Sequence, residues 1–348
     1  MYEKRLEDAG YVTYKLARTN NRGDGLLTAV HRNSFHVLND RELLFHDFGD
    51  RVAQLLHVEL LVPFSNLEKE VLLVNTHLMF PHDSTYCFLR LKQVYKILRY
   101  IELYCDEQHL PPVPIILCGD WNGSKKGHVY KFLRSQGFVS SYDIAHHYKD
   151  NDEDSHKWIS HHNHRGNVCG VDFIWLLNPN KHRKPLKESF IEAALGNVKN
   201  LLCKVSKQGA NMLHFLKTDG NHKLTYSQFS QFLNELGLCG NPHEGASDED
   251  IKDLWEYLDT DRNGVVDLSH FTRGRNLHLQ QKEENEENDF QMKEVPNTST
   301  SLTTIGFNVK EAVLFPPEVE KGMWPENYSL SDHAHLTVEF SLVKMQGS

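Results

Sequence analysis

The chain has 348 residues, 39% of them hydrophobic and 24% charged, and a formal net charge of −9. That length suits one large α/β domain plus a small one, and no apolar run approaches the roughly 18 residues of a membrane-spanning helix. Its six cysteines form no Cys-x-x-Cys pair and no charged-then-apolar leader opens it, so reduced thiols, no signal peptide and a cytoplasmic or nuclear setting are the expectation.

Tyr2, Leu6 and Ala9 line one face of a predicted short helix that Gly10 ends, and residues 11–16 read as a strand. The polar stretch 18–25 contains Arg22, which is either a clamp for a substrate phosphate or a solvated loop arginine. Strands are predicted at 25–31 and 52–61. A third, Val71-Leu72-Leu73-Val74, runs into Asn75-Thr76-His77-Leu78. Phe88, Leu91, Val94, Leu98 and Ile101 then repeat at helical spacing, with Arg90, Lys92, Lys96 and Arg99 largely on other faces.

Residues 114–123 are the centre of the pattern. Pro114-Ile115-Ile116-Leu117-Cys118-Gly119 is a strand buried on both faces, and it stops in Asp120-Trp121-Asn122. An acid and an amide at the end of a buried strand are held rigidly yet stay within reach of a ligand, although a turn with local hydrogen bonds gives the same letters. Lys125, Lys126 and His128 follow, where positive charge suits an anionic substrate. Tyr130, Leu133 and Gly137 mark a short helix with a glycine stop.

The segment 155–165 holds His156, Trp158, His161, His162 and His164. Zinc, a Trp158 platform for a base or sugar, and plain loop packing are the readings open there. Val171-Asp172-Phe173-Ile174-Trp175 carries one acid in an apolar run, and Ser331-Asp332-His333 precedes alternating Leu336, Val338, Phe340 and Leu342.

Between these two stretches lies a different kind of unit. Asp259-Thr260-Asp261-Arg262-Asn263-Gly264-Val265-Val266-Asp267 has oxygen side chains at the first, third, fifth and ninth positions of a calcium loop, with glycine at the sixth for the sharp turn and the Val265 carbonyl at the seventh. Ser247 caps the helix before it, whose Ile251, Leu254, Trp255 and Leu258 share a face. The loop resembles an EF-hand, but His270 stands where the family has a bidentate Glu. An upstream sister loop at 217–228 has Lys217 first, His222 sixth and Gln228 twelfth, so it reads as structural, pairing through Leu224 with Val266. Residues 244–295 carry 15 acids against 6 Lys and Arg, which accounts for the whole net charge of −9 and leaves the remainder neutral.

Thr76-His77-Leu78, Gly119-Asp120-Trp121-Asn122, Val171-Asp172-Phe173 and Ser331-Asp332-His333, in that order, resemble the motif series of the endonuclease/exonuclease/phosphatase superfamily, the deoxyribonuclease-I-like fold. Asn20-Asn21-Arg22-Gly23-Asp24-Gly25, the Asn-Thr-His-Leu form and the long helix after it are most similar to nocturnin-like and poly(A)-shortening nucleases, with an inserted EF-hand pair as in plant calcium-binding members. The resemblance implies a four-layer α/β sandwich, two packed mixed sheets with helices outside, over residues 1–190 and 305–348. An all-α EF-hand domain at 191–280 and a flexible acidic, Ser/Thr-rich linker at 281–304 interrupt it.

By the same resemblance the chemistry is hydrolysis of a phosphoester with Mg2+ (or Mn2+), alongside Ca2+ at the loop of Asp259, Asp261, Asn263, Val265 and Asp267. His333, oriented by Asp172, takes a proton from water; Asp120 and Asn122 position water, metal and phosphate; His77 donates to the transition-state oxygens; Asp332 assists the metal or His333. A 3′-5′ exoribonuclease acting on RNA is the first expectation. A phosphatase on a phosphorylated small molecule or lipid headgroup is the second, and a catalytically impaired calcium-binding protein the third. The family's metal-binding Glu on an N-terminal strand has no counterpart here, since Glu3, Glu7 and Asp8 fall on the predicted surface helix. The expectation is therefore an N-terminally incomplete fold that binds magnesium poorly.

Overall fold

The computed structural model describes residues 2–47, 49–61, 69–148, 158–179, 183–207, 223–239, 245–267 and 303–346. In chain order the elements are α1 (Tyr2–Asp8), β1 (Tyr11–Ala17), β2 (Gly25–His31), β3 (Phe35–Leu44), β4 (Val52–Leu60), β5 (Glu70–His77), α2 (Tyr86–Gln108), β6 (Ile115–Asp120), α3 (His128–Ser135), β7 (Val139–Ser140), α4 (Ser141–Ala145), β8 (His161–His162), β9 (Val168–Cys169), β10 (Asp172–Leu177) and α5 (Leu186–Lys207). They continue with β11 (Lys223–Thr225), α6 (Tyr226–Glu235), α7 (Asp248–Leu258), β12 (Val265–Asp267), β13 (Thr303–Phe315) and β14 (His335–Gln346). Two compact units result, residues 1–193 with 301–348, and residues 194–300.

The larger unit is built on a six-stranded mixed sheet in the order β3-β4-β5-β6-β10-β7. Only β5 and β6 run parallel, and α2 makes the crossover between them. Strand periodicity sends alternate residues to opposite faces. On one face Leu56, Val58, Leu60, Val71 and Leu176 pack with Val30 of β2 and with Ile305 and Phe307 of β13. On the other, His57 Nδ1 meets the Tyr104 hydroxyl of α2 at 3.0 Å, and the Trp175 ring lies 4.9 Å from that of Tyr130 in α3. The second β layer takes the form of two antiparallel pairs, β1-β2 and β13-β14. Outside the first of them lies α1, tied to β1 by a Glu3–Lys15 ion pair. The layering is thus helices, sheet, hairpins and an outer helix, the α/β class expected, with the second sheet in two pieces.

Strand β3 was not legible in the sequence. It is an edge strand whose burial alternates along its length, with a bulge between Val37 and Asn39, and its Asn39, Asp40, Arg41 and Glu42 break up any apolar run. The helical face of α2 was legible, but Arg90 is buried on it beside Gln93. Gln93 accepts from the Met79 backbone N–H at 2.9 Å and donates to the Asp47 carboxylate.

In the smaller unit α6 and α7 both begin in capping boxes, Thr225 with Gln228 and Ser247 with Asp250. In the same unit β11 pairs antiparallel with β12, opposing Leu224 to Val266. Lys217 to His222, His270 and the segment 281–302 fall outside the described residues.

Candidate active site

Three strands of the central sheet end at one place. In register, His77 of β5 lies opposite Asp120 of β6, and Asp120 lies opposite Asp172 of β10. Gly119 makes this close approach feasible: its φ is +140°, and a Cβ there would lie 1.8 Å from the Thr76 carbonyl oxygen. Past the strand end the chain turns through Asn122 at φ +47°. The Asn122 N–H donates to Asp120 Oδ1 at 2.8 Å, and its side-chain amide donates to the Leu78 carbonyl at 3.0 Å and to Asp120 Oδ2 at 3.2 Å. The two motifs that follow β5 and β6 are therefore clasped to one another, which fixes the Asp120 carboxylate.

His333 arrives from the far end of the chain. The segment before β14 lies antiparallel to β8, with a bridge between His161 and His333, the His162 N–H donating to the Asp332 carbonyl at 2.9 Å and the Ala334 N–H to the Ser160 carbonyl at 2.7 Å. This holds His333 Nδ1 2.9 Å from Asp172 Oδ2 and Nε2 3.9 Å from Asp120 Oδ2. Ser160 completes the arrangement. Its hydroxyl donates to Asp172 Oδ2 at 2.7 Å and accepts from the Val171 and Asp172 N–H groups at 3.0 Å each.

Electrostatics separate the roles. Burial disfavours charge on His333, but the Asp172 hydrogen bond and the charges of Asp172, Asp120 and Asp332 outweigh it and raise the pKa to about 8. Burial, then the Asp172 charge, pushes Asp120 up to about 6. His77 falls to about 4 through burial and the nearby charges of Arg51 and His333. At neutral pH the 3.3 Å contact of His77 Nε2 with Asp120 Oδ2 is thus one between a neutral ring and a carboxylate.

The donor set fits a divalent cation. Asp120, Asp172 and His333 offer ligand atoms within 4.8 Å of one another, as do His161, Asp332 and His333. Asp120 and Asp172 crowd one another, and the raised pKa of Asp120 marks a place where positive charge is favourable.

Other sequence-predicted residues have different duties. Arg22 Nε donates to Asp50 Oδ2 at 2.7 Å, and Asn20 and Thr19 donate to Asp50 Oδ1, so Arg22 helps to fold its own loop. Trp158 is corrected from platform to packing residue: it is 3% exposed, with its rings 4.8 Å from Tyr142 and 5.2 Å from Phe173. Lys125 is likewise structural, buried in an ion pair with Asp143 at 2.8 Å. His162 stacks on Trp324, and His156 lies outside the described residues. Glu3, on α1, pairs with Lys15. Sequence reasoning missed Ser160 and Arg51, and it gave His161 no part in this site. Neither had a local signal: Ser160 stands near Trp158, and Arg51 follows Asp50 ahead of a strand that also holds Gln54, His57 and Glu59.

The candidate calcium loop is wrapped around Asp259. Its Oδ1 accepts from the Asn263 N–H and its Oδ2 from the Gly264 N–H, each at 3.1 Å, while Asn263 Oδ1 accepts from the Val265 N–H at 2.9 Å. Arg262 and Gly264 take the positive φ values, +55° and +78°, that turn the chain sharply. Asp267 ends in β12, paired with Lys223 of β11.

No family model matches the chain. Among solved structures it is similar to ANGEL2, described as a 2′,3′-cyclic phosphatase (16% identity, TM-score 0.43, covering 50% of this chain and 65% of that one), and to the human Nocturnin catalytic domain (17%, 0.40, 51% and 64%). It spans less than two thirds of either. Carbon catabolite repressor protein 4 homolog 3 of Arabidopsis thaliana is 33% identical over 138 residues, 37% of this chain and 28% of the relative. A second Arabidopsis thaliana protein, named "Uncharacterized calcium-binding protein At1g02270", is 53% identical over 353 residues, covering 99% of this chain and 72% of the relative. At that identity and extent the chain belongs to the family of this Arabidopsis calcium-binding protein.

Proposed function

We propose that the chain is a calcium-binding, magnesium-dependent phosphoester hydrolase, in the first instance a 3′-5′ exoribonuclease of the poly(A)-shortening type that its motif series resembles. The observation that carries the hydrolase reading is the coupled set Ser160, Asp172, His333 and Asp120, in which one imidazole nitrogen is fixed and the other is left facing the acids. With Nδ1–H held by Asp172, the neutral form of His333, which gains population as pH rises toward its raised pKa of about 8, carries its lone pair on Nε2 and can take a proton from a water that attacks phosphorus. The phosphorus–oxygen bond to the leaving group then breaks. Asn122 and Asp120 orient the reacting groups, and the neutral His77 N–H donates where negative charge grows on the phosphoryl oxygens. Asp120, or Asp332 in the neighbouring group with His161, would help to hold magnesium or manganese, which would supply positive charge for the phosphoryl oxygens.

Calcium is assigned to the Asp259 loop, supported by its wrapped backbone and by the calcium-binding name of the 53%-identical Arabidopsis relative. The test is adenylate release from the 3′ end of an RNA in magnesium, compared with His333→Ala and Asp120→Ala. Each variant is expected to lose at least about 100-fold. Retention of more than about a tenth of activity by either would remove the site assignment.

A further inference from the structure

Arg51 opens β4 next to the catalytic acids, and its side chain is a physical problem as it stands. The residue is 8% exposed, and neither Nε nor Nη1 has a hydrogen-bond partner. A buried guanidinium left unpaired costs several kcal/mol, so a chain that places one needs something to compensate it. The charges of Asp24, Asp120 and Asp47 offset part of that cost, but none of these acids hydrogen-bonds Nε or Nη1. Arg18 and Asp24 satisfy each other through two bonds from Nη1, at 2.7 and 2.8 Å, and Arg18 Nε donates to the Gly49 carbonyl at 3.1 Å. Asp47 is taken up by Gln93 and by the Arg51 backbone N–H.

Arg51 lines a small open cleft with Arg18, Asp24, Gly25, Val52 and His77. With Arg18 and Asp24 paired to each other, the cleft keeps the Nε and Nη1 groups of Arg51 without a hydrogen-bond acceptor. One of its walls is His77, the ring that also contacts Asp120.

We infer that Arg51 and the cleft it shares with Arg18 and His77 form an anion subsite that takes a phosphate group of the substrate beside the catalytic acids. The fork of N–H donors on a guanidinium matches a tetrahedral phosphate better than it matches a single-atom anion. This subsite deepens the proposed hydrolase reading and rests on it only for the word substrate. The compensation Arg51 needs is a property of the fold whatever reaction follows.

The test uses the 348-residue chain free of metal, with inorganic phosphate as the probe and acetate and chloride at matched ionic strength as controls. Wild type is expected to gain a saturable rise in Tm of roughly 2–4 °C with phosphate alone. Arg51→Met should lose that response and, in the absence of anions, melt no lower than wild type, because it removes an unpaired buried charge. Arg51→Lys should keep part of the response. The inference is overturned if Arg51→Met still responds to phosphate, if it melts several degrees below wild type without anions, or if acetate stabilises wild type as much as phosphate does. Phosphoester turnover is then measured with wild type, Arg51→Lys and Arg51→Met. A phosphate response lost in Arg51→Met, with no phosphoester hydrolysed by wild type, upholds the subsite and defeats the hydrolase reading. Turnover with KM unchanged in Arg51→Lys and Arg51→Met defeats the subsite and leaves the hydrolase reading standing.

Discussion

Replacing Asp172 by Asn keeps the shape of the side chain and removes its charge. Asp172 Oδ2 accepts from the Ser160 hydroxyl at 2.7 Å and lies 2.9 Å from His333 Nδ1. Because two donors point at that position, the Asn oxygen would take it and still hold Nδ1–H, but without the charge that stabilises the imidazolium formed when Nε2 takes a proton. His333 would keep its place and become a weaker base for the proton from water. A positioned general base contributes about 10²- to 10⁴-fold, or roughly 3–5 kcal/mol of barrier, and the loss in turnover is expected in that range. The assay is single-turnover hydrolysis of a 3′-adenylated RNA in magnesium, with thermal unfolding alongside to show that the fold survives an isosteric change. Ser160→Ala, which leaves the Asp172–His333 bond in place, should lose less. If Asp172→Asn keeps more than about a tenth of wild-type turnover, or loses no more than Ser160→Ala, the role argued for the Asp172 charge is wrong.

Lys125→Met leaves the Asp143 carboxylate buried with Tyr130 as its remaining side-chain partner and should destabilise the chain by about 3–5 kcal/mol in denaturant titration, most of it recovered in Lys125→Met/Asp143→Leu. His128 is held at about 4 by burial and by the Lys131 charge. Because this folded pKa lies below the unfolded value of 6.5, its contribution is present above pH 6.5 and is lost as pH falls toward 4. Relative to His128→Asn, wild type should therefore lose about 2 kcal/mol between pH 7.5 and 5, and parallel stability curves for the two chains would refute this. Calorimetry should find one calcium site, abolished by Asp259→Ala and tightened by His270→Glu, which restores a bidentate carboxylate to the loop's last position. Two sites in wild type would reinstate the sister loop as a ligand.

The amino-acid sequence by itself determined the elements whose signals are local. The buried strand 115–120, the amphipathic helix after Pro81 and the Asp259 loop are each written in a short window, through an apolar run, a 3.6-residue period, or oxygen ligands around a glycine. It also determined which strand ends carry reactive groups, because Asp120, Asp172 and His77 break otherwise apolar runs. Only the tertiary structure decided what those groups do to one another. Ser160 and His333 are far apart in sequence and meet because residues 160–162 pair with residues 332–334. Nothing local marks that pairing. Burial was equally beyond reach: Trp158 and Lys125 have the composition of binding residues, yet each is enclosed by partners drawn from other elements. The edge strand β3 and the unpaired guanidinium of Arg51 became visible for the same reason. Whether a polar side chain faces water, a partner or a cleft depends on what the rest of the chain packs against it, and a window of sequence does not contain those neighbours.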